Sequence, residues 1–362
     1  MKTQKTEKII STQEPKSVRR SHGSEQATSH HPLVSVIIPT YNRKEWITEC
    51  LLSLTNQSFP KNQYEIIVVD DGSTDGTEQV VRKFAGIQYI KQHNQGPGNA
   101  RNHGAEQAQG TILAFTDDDC IPDKNWIEQG INALDISGLD GIEGETYTDK
   151  SKTTPLSVIT YTYHGGGYMT ANMFYKKKAF EAVNGFDTSQ RMLFREDTDL
   201  AWRILDKGFK LGFSEQPRVY HRVINYGLIP FLKKHLRLRE IWWNAKLCSL
   251  HQQRFRASNE MLLGIISTHT MYHYLFLTAA ALSIITGMYF PQSTFLLSLV
   301  ILIQNYILTV FLHTRMKSGI ELSHVLRFKK EFALLCTVWW LAIFWDTFWK
   351  IAGNIRFRTF ML

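Results

Sequence analysis

The sequence predicts an α/β domain over residues 32–225, followed by a C-terminal membrane region of two to three helices over residues 261–350. Three observations carry this expectation. Short β-branched runs alternate with helix-periodic segments between Val34 and Phe115. Two of those runs end in carboxylates, at Asp70-Asp71 and at Asp117-Asp118-Asp119. After Glu260, no Asp, Glu, Lys or Arg occurs until Arg315. Strand–helix alternation at this spacing reads as βαβ units and a parallel sheet, whose ligands gather at the carboxyl ends of the strands.

In chain order, residues 1–31 are polar and nearly free of large apolar side chains, the composition of a disordered, weakly basic tail. Val34–Ile38 reads as the first strand, closed by Pro39. Lys44–Asn56 follows as a helix, with apolar residues at Trp46, Ile47, Leu51, Leu52 and Leu54. Glu65–Val69 is a β-branched strand running into the turn residues Asp71-Gly72-Ser73-Thr74-Asp75-Gly76. A helix over Thr77–Phe84 and a strand over Ile87–Ile90 come next. Gly96-Pro97-Gly98 opens a helix over Asn99–Gln109, and Ile112–Phe115 is a buried strand. The section Leu139–Tyr175 is richer in Gly, Thr and Tyr and has weaker periodicity. A helix over Lys178–Val183 ends at Gly185. The segment from Arg195 starts acidic and becomes helix-periodic, with Asp199 and Arg203 spaced as an i,i+4 pair. Arg218–His221 ends the last strand.

Charge is unevenly distributed. Residues 1–200 carry 21 basic and 26 acidic side chains, whereas residues 201–362 carry 20 basic and 7 acidic. The basic residues of the second half flank apolar runs, which points to a membrane surface rather than to nucleic acid. The four cysteines (Cys50, Cys120, Cys248 and Cys336) form no CxxC pair, which argues against a zinc site or a disulfide framework.

Three consecutive acids repel one another and are best tolerated around a cation. If the segment is extended, Asp117 and Asp119 face one site while Asp118 turns away. Hard oxygen ligands of this kind suit Mg²⁺ or Mn²⁺. A carboxylate at a strand end also accepts from a ribose hydroxyl or a base N–H. Arg101 lies near a helix start, where an anion is favoured. Walker and GxGxxG patterns are both absent.

Taken together, Val34–Arg43, Asp70–Asp75, Gly98–Gly104, Asp117–Asp119 and Glu196-Asp197 with Leu200 and Arg203 resemble, in order and spacing, the family 2 glycosyltransferases. The resemblance covers about Pro32 to His221. It implies a GT-A fold, a Rossmann-like nucleotide-binding mixed sheet flanked by helices, and an inverting reaction. It implies that Pro39, Tyr41, Asp71, Arg101 and Asp117 bind a nucleotide-sugar donor, a UDP-sugar or another nucleoside-diphosphate sugar. Asp71 and Tyr41 would face the base, Asp117 the ribose and Arg101 the diphosphate. Asp119 would hold Mn²⁺ or Mg²⁺, with His221 completing the metal site. Asp197, beside Glu196, would be the general base that deprotonates an acceptor hydroxyl. The QxxRW pattern of processive synthases has no counterpart in Lys233–Trp243, so a non-processive enzyme is expected. Cys120-Ile121-Pro122-Asp123 after the acids resembles enzymes that glycosylate a hydroxyl, with polyprenyl-phosphate sugar transferases as the alternative.

Residues 226–260 interleave basic and apolar side chains at helical spacing, as an interfacial helix does. Met271–Phe290 and Ser293–His313 are each long enough to span a bilayer, which takes ~20 apolar residues. Phe332–Trp349 contains Asp346 and several Trp, which fits either a third crossing or an interfacial segment, ahead of a basic tail at 351–362. Basic flanks before the first span and after the second place the catalytic domain on the cytoplasmic side. A lipid-linked or polysaccharide acceptor and membrane lipids are the partners expected, with no nucleic acid.

Overall fold

The computed structural model describes residues 31–154, 157–158, 160–189 and 195–227, together with residues 230, 250–251, 254, 261–262 and 266–267. The N-terminal tail before residue 31, the basic segment 228–247 apart from Pro230, all three apolar stretches and the C-terminal tail lie outside the described residues. Among the described residues no helix is long and apolar enough to cross a membrane.

The elements follow one another as β1 (Val34–Thr40), α1 (Lys44–Thr55), β2 (Tyr64–Asp70), α2 (Thr77–Val81), β3 (Ile87–Lys91), α3 (Pro97–Gln107), β4 (Ile112–Phe115), β5 (Cys120–Pro122), α4 (Trp126–Ser137), β6 (Gly141–Tyr147), β7 (Ser157–Val158), β8 (Met173–Lys176), α5 (Lys177–Glu181), α6 (Glu196–Asp206), β9 (Leu211–His221) and β10 (Ile224–Asn225). The chain forms two compact units. The first runs to Thr148 and resumes over Thr160–Arg222; the second comprises Asp149–Ile159 and the chain from Val223. In the second unit β7 and β10 pair antiparallel, Ile224 opposite Val158.

The first unit is built on one eight-stranded sheet in the order β3-β2-β1-β4-β8-β6-β9-β5. Its first four strands are parallel, as the βαβ spacing predicts. The second half is mixed: β8 runs antiparallel to both β4 and β6, β9 is parallel to β6, and β5 is antiparallel to β9. The sheet is thus mixed, as the resemblance implies, with its parallel part confined to the strands up to Phe115. The long connection that carries α4 lets the chain enter the far side of the sheet, and β8 then returns against β4.

β1 is buried along its whole length because both faces are covered. Val34, Val36 and Ile38 pack with Ile47, Leu51 and Leu54 of α1 and with Trp126, Ile127, Ile131 and Leu134 of α4. The weakly periodic middle section carries two strands of the eight-stranded sheet, β6 and β8. Gly141–Tyr147 hides its strand character behind two Gly and two Glu, yet its backbone is paired on both sides. The register between β6 and β9 jumps from Gly144–Ser214 to Glu145–Arg218, leaving residues 215–217 as a bulge. Buried Asn172 fills this irregularity, its Nδ2 donating to Glu145 O and Pro217 O (2.8 Å each) while its Oδ1 accepts from Trp126 Nε1 at 2.8 Å.

Candidate active site

The first helical connection carries the chain from β1 to β2 on one side, and β4 is added on the other side of β1. The crevice outside the carboxyl ends of β1 and β4 is thus the point where strand order reverses, the usual place for a ligand in such sheets. Thr40 ends β1, and Asp117, Asp118 and Asp119 follow β4.

These acids do not continue an extended strand. They form a turn, closed by Cys120 N donating to Asp117 O at 3.1 Å, so three adjacent side chains diverge. Asp117 accepts from Arg101 Nη2 at 2.7 Å. Asp118 turns inward and accepts from Thr40 Oγ1 at 2.7 Å. Burial, and then the neighbouring Asp119 carboxylate, push the Asp118 carboxyl up to about 7, against the pull of Arg43. Asp119 Oδ2 lies 3.6 Å from Arg43 Nη1, whose guanidinium stacks over Trp46. The expected alternation, with Asp117 and Asp119 on one side, does not apply to this turn: Asp117 meets Arg101, Asp118 meets Thr40, and Asp119 meets Arg43 and His221.

Antiparallel pairing of β5 with β9 sets Cys120 opposite His221 and so brings the imidazole to Asp119. His221 Nδ1 is 3.0 Å from Arg222 O. A carbonyl only accepts, so Nδ1 carries a proton, and Nε2 is the ring nitrogen turned toward Asp119 Oδ1, 3.5 Å away. A carboxylate oxygen and a ring nitrogen this close can share a cation. Asp119, Cys120 and His221 each offer a ligand atom within 4.8 Å of the others. Burial pushes the Cys120 thiol well up, which keeps it protonated and a poor ligand. A carboxylate oxygen and an imidazole nitrogen remain, a donor set able to hold a divalent metal ion.

Arg101 is 4% exposed in the second turn of α3. Besides Asp117 it holds Glu196, Nη1 to Oε1 at 3.2 Å, and it lies over the Phe186 ring. Its guanidinium thereby joins the turn after β4 to the first turn of α6, 79 residues later in the chain from Asp117 to Glu196. The sequence reading had Arg101 facing a ligand anion; the structure engages it with two carboxylates. Burial, and then the adjacent Asp197, push Glu196 up to about 7, with Arg101 opposing. Asp197 is also raised by burial, although Thr198 N donates to its Oδ1 at 2.7 Å. The expected Asp199–Arg203 pair forms at 2.8 Å, and Arg203 also donates to Val183 O and Gly185 O, fixing α6 to the turn after α5.

Pro39 lies inside β1, paired with Val69, and Tyr41 is exposed just beyond the strand. Asp71 is buried, and its oxygens accept from Gln92 Nε2, Gln95 N and Gly96 N, each at 2.8 Å. It therefore shapes the loop that leads into α3. Asp70 is internal, accepting from Ser73 N and Tyr89 OH. Sequence reasoning gave no separate role to Thr40, Arg43 or Glu143. The first two stand in the Pro39–Arg43 segment whose resemblance was noted, but Glu143 sits in the strand that composition concealed.

The family model for glycosyl transferase family 2 matches residues 35–200. The glycosyltransferase AglE of Haloferax volcanii is 32% identical over 239 residues, covering 58% of this chain and 73% of that protein. The poly(ribitol-phosphate) beta-N-acetylglucosaminyltransferase TarS of Staphylococcus aureus is 40% identical over 106 residues, covering 28% of this chain and only 18% of TarS. Among solved structures, the mannosyltransferase PcManGT from Pyrobaculum calidifontis, in complex with GDP-Man and Mn²⁺, aligns over 91% of this chain and 87% of its own, with a TM-score of 0.50 and 18% identity. That last likeness concerns the fold, a mixed α/β sheet flanked by helices of the GT-A kind. With the family model matched over residues 35–200 and nearly three quarters of AglE spanned at 32% identity, the chain belongs to glycosyl transferase family 2 and is a glycosyltransferase.

Proposed function

We propose that the enzyme is an inverting, non-processive glycosyltransferase that moves a sugar from a nucleoside-diphosphate sugar to a hydroxyl of a lipid-linked or polysaccharide acceptor. The observation that carries this reading is Arg101 bound at once to Asp117 and Glu196, which joins the acid turn after β4 to the first turn of α6 and so supports a single site. Asp197 removes the proton from the acceptor hydroxyl, and the burial that raises its pKa makes it a stronger base than an exposed aspartate. The oxygen attacks the anomeric carbon opposite the departing diphosphate, which inverts the centre. Asp117 contacts the ribose, while Pro39, Tyr41 and Asp71 line the base. Asp119 and His221 would hold a divalent cation, whose charge would offset that of the leaving diphosphate. TarS, named for transfer to poly(ribitol-phosphate), and PcManGT, solved with GDP-Man and Mn²⁺, support a nucleotide-sugar donor and a glycan acceptor.

The catalytic unit works at the cytoplasmic face of the membrane, anchored by the apolar stretches 271–290 and 293–313. Cysteine labelling of the C-terminus in intact and opened cells tests that arrangement. The chemistry is tested by screening nucleotide sugars by thermal shift with Mn²⁺ and then measuring turnover. Asp119→Ala and Asp197→Asn should each lose nearly all transfer while keeping the wild-type circular dichroism. Full turnover in both would remove the assignment.

A further inference from the structure

Glu143 is a carboxylate 1% exposed in the middle of β6, outside the donor and metal residues. Its Oε2 accepts from Gly166 N at 2.7 Å and its Oε1 from Met169 N at 3.1 Å. The 165–169 loop is bent to deliver these donors: Gly165, Gly166 and Tyr168 have φ of +67°, +95° and +55°. Successive positive-φ residues turn backbone N–H groups into a concave anion cradle. Here the anion comes from the protein's own sheet. The loop has a second hold, because Thr198 Oγ1 donates to Gly167 O at 3.2 Å. Thr198 follows Asp197 directly, and its own N–H binds the Asp197 carboxylate. The loop is therefore pinned from below by β6 and from the side by the first turn of α6.

We propose that Glu143 is a positioning residue for the acceptor: it clamps the 165–169 loop against the turn of α6 that carries Asp197, and this loop forms the wall that holds the acceptor hydroxyl at the base. The proposal rests on Asp197 being that base. Burial raises the Glu143 pKa and the loop N–H groups oppose that rise; with donors on both oxygens, the clamp is strongest when the carboxylate is ionised.

The charge of Glu143 also reaches Asp197. Arg101 of α3 and Arg195 at the start of α6 draw the Asp197 pKa down, whereas Glu143 raises it. Adjacent Glu196 is a second acid, coupled by charge to Asp197, and Tyr175 of β8, a phenol kept neutral by burial, faces the same carboxylate. Removing the Glu143 charge thus lowers the Asp197 pKa.

The test measures steady-state transfer by the full chain in detergent, with the nucleotide sugar selected by the thermal-shift screen and octyl glucoside as the hydroxyl probe. Asp197→Asn is run in parallel: turnover in that variant would remove the base assignment itself. With Asp197→Asn inactive, Glu143→Gln should raise the acceptor KM about tenfold, the scale on which misplaced reacting groups lose rate. Donor KM should stay as in the wild type, and the acid limb of kcat should move to lower pH. Glu143→Asp keeps the charge and so keeps the acid limb, but its shorter reach still raises the acceptor KM. A wild-type acceptor KM in Glu143→Gln, or a raised KM with an unmoved acid limb, overturns the proposal. Should Glu143→Gln fail to fold, Thr198→Val cuts the other anchor: a raised acceptor KM supports the clamp and an unchanged one overturns it.

Discussion

Arg101 illustrates how a residue placed by its helix acquires a role its neighbours in sequence do not reveal. Its helix position was legible, but its partners were not, because Glu196 is 95 residues away. Arg101→Met would keep much of the buried volume and leave two carboxylates without their cation. Breaking buried ion pairs from one side costs about 3–5 kcal/mol, so a fall in denaturant midpoint of that order is expected, together with loss of turnover. A midpoint within error of the wild type would show that the acids are solvated instead. The same cluster sets a pH dependence. Asp197 must be ionised to take a proton, and its pKa is raised, so kcat falls as pH drops through that raised value. The acid limb should lie above the ordinary aspartate value of about 3.9; a limb at or below that value would contradict the burial of the base.

At the scale of elements, the sequence revealed most where periodicity was clean. β1, β2, β4, α1 and α6 fall within a residue or two of their expected bounds, because their apolar spacing matches the faces they bury. α4, β5, β6 and β8 were not assigned. β6 looks like loop by composition, and only cross-strand partners make it a strand. The acid triplet failed differently: strand alternation was carried beyond Phe115 into the turn at residues 117–120. α4 supplies a test of packing. Gly130 lies against Phe174, and a Cβ there would come within 2.3 Å of the ring. Gly→Ala in a helix ordinarily stabilises by roughly 0.5–1 kcal/mol. At Gly130 overpacking should reverse the sign, with a destabilisation of about 1–3 kcal/mol read as a lower Tm. A higher Tm in Gly130→Ala would mean that α4 moves off the sheet freely.

On the scale of the whole molecule, the parallel half of the sheet delivers Thr40, Asp71 and the acid turn, and the mixed half delivers His221 and Glu143. The site exists only where the two halves meet. The resemblance supplied the list of candidate residues, whereas the antiparallel return of β9 to β5, which sets His221 beside Asp119, was not readable from any local pattern. Chelation with EDTA should abolish transfer, and Mn²⁺ or Mg²⁺ should restore it. His221→Ala should require a higher Mn²⁺ concentration for half-maximal activity while retaining the wild-type melting curve in the absence of metal. Undiminished activity in the chelator would leave Asp119 and His221 as a plain acid–imidazole contact.

The bulge at residues 215–217 acts as a length buffer along β9. Slack stored there lets the strand keep step with β6 on its early half and still arrive in phase with β5 at its end. An extra residue spliced into 215–217 would be absorbed as a slightly larger loop. The same insertion placed after Val219 has no slack to consume, and with side chains alternating every residue it turns the imidazole to the opposite side of the sheet. Two insertions only a few positions apart should therefore differ sharply, one tolerated and the other uncoupling the metal from a sheet that still forms.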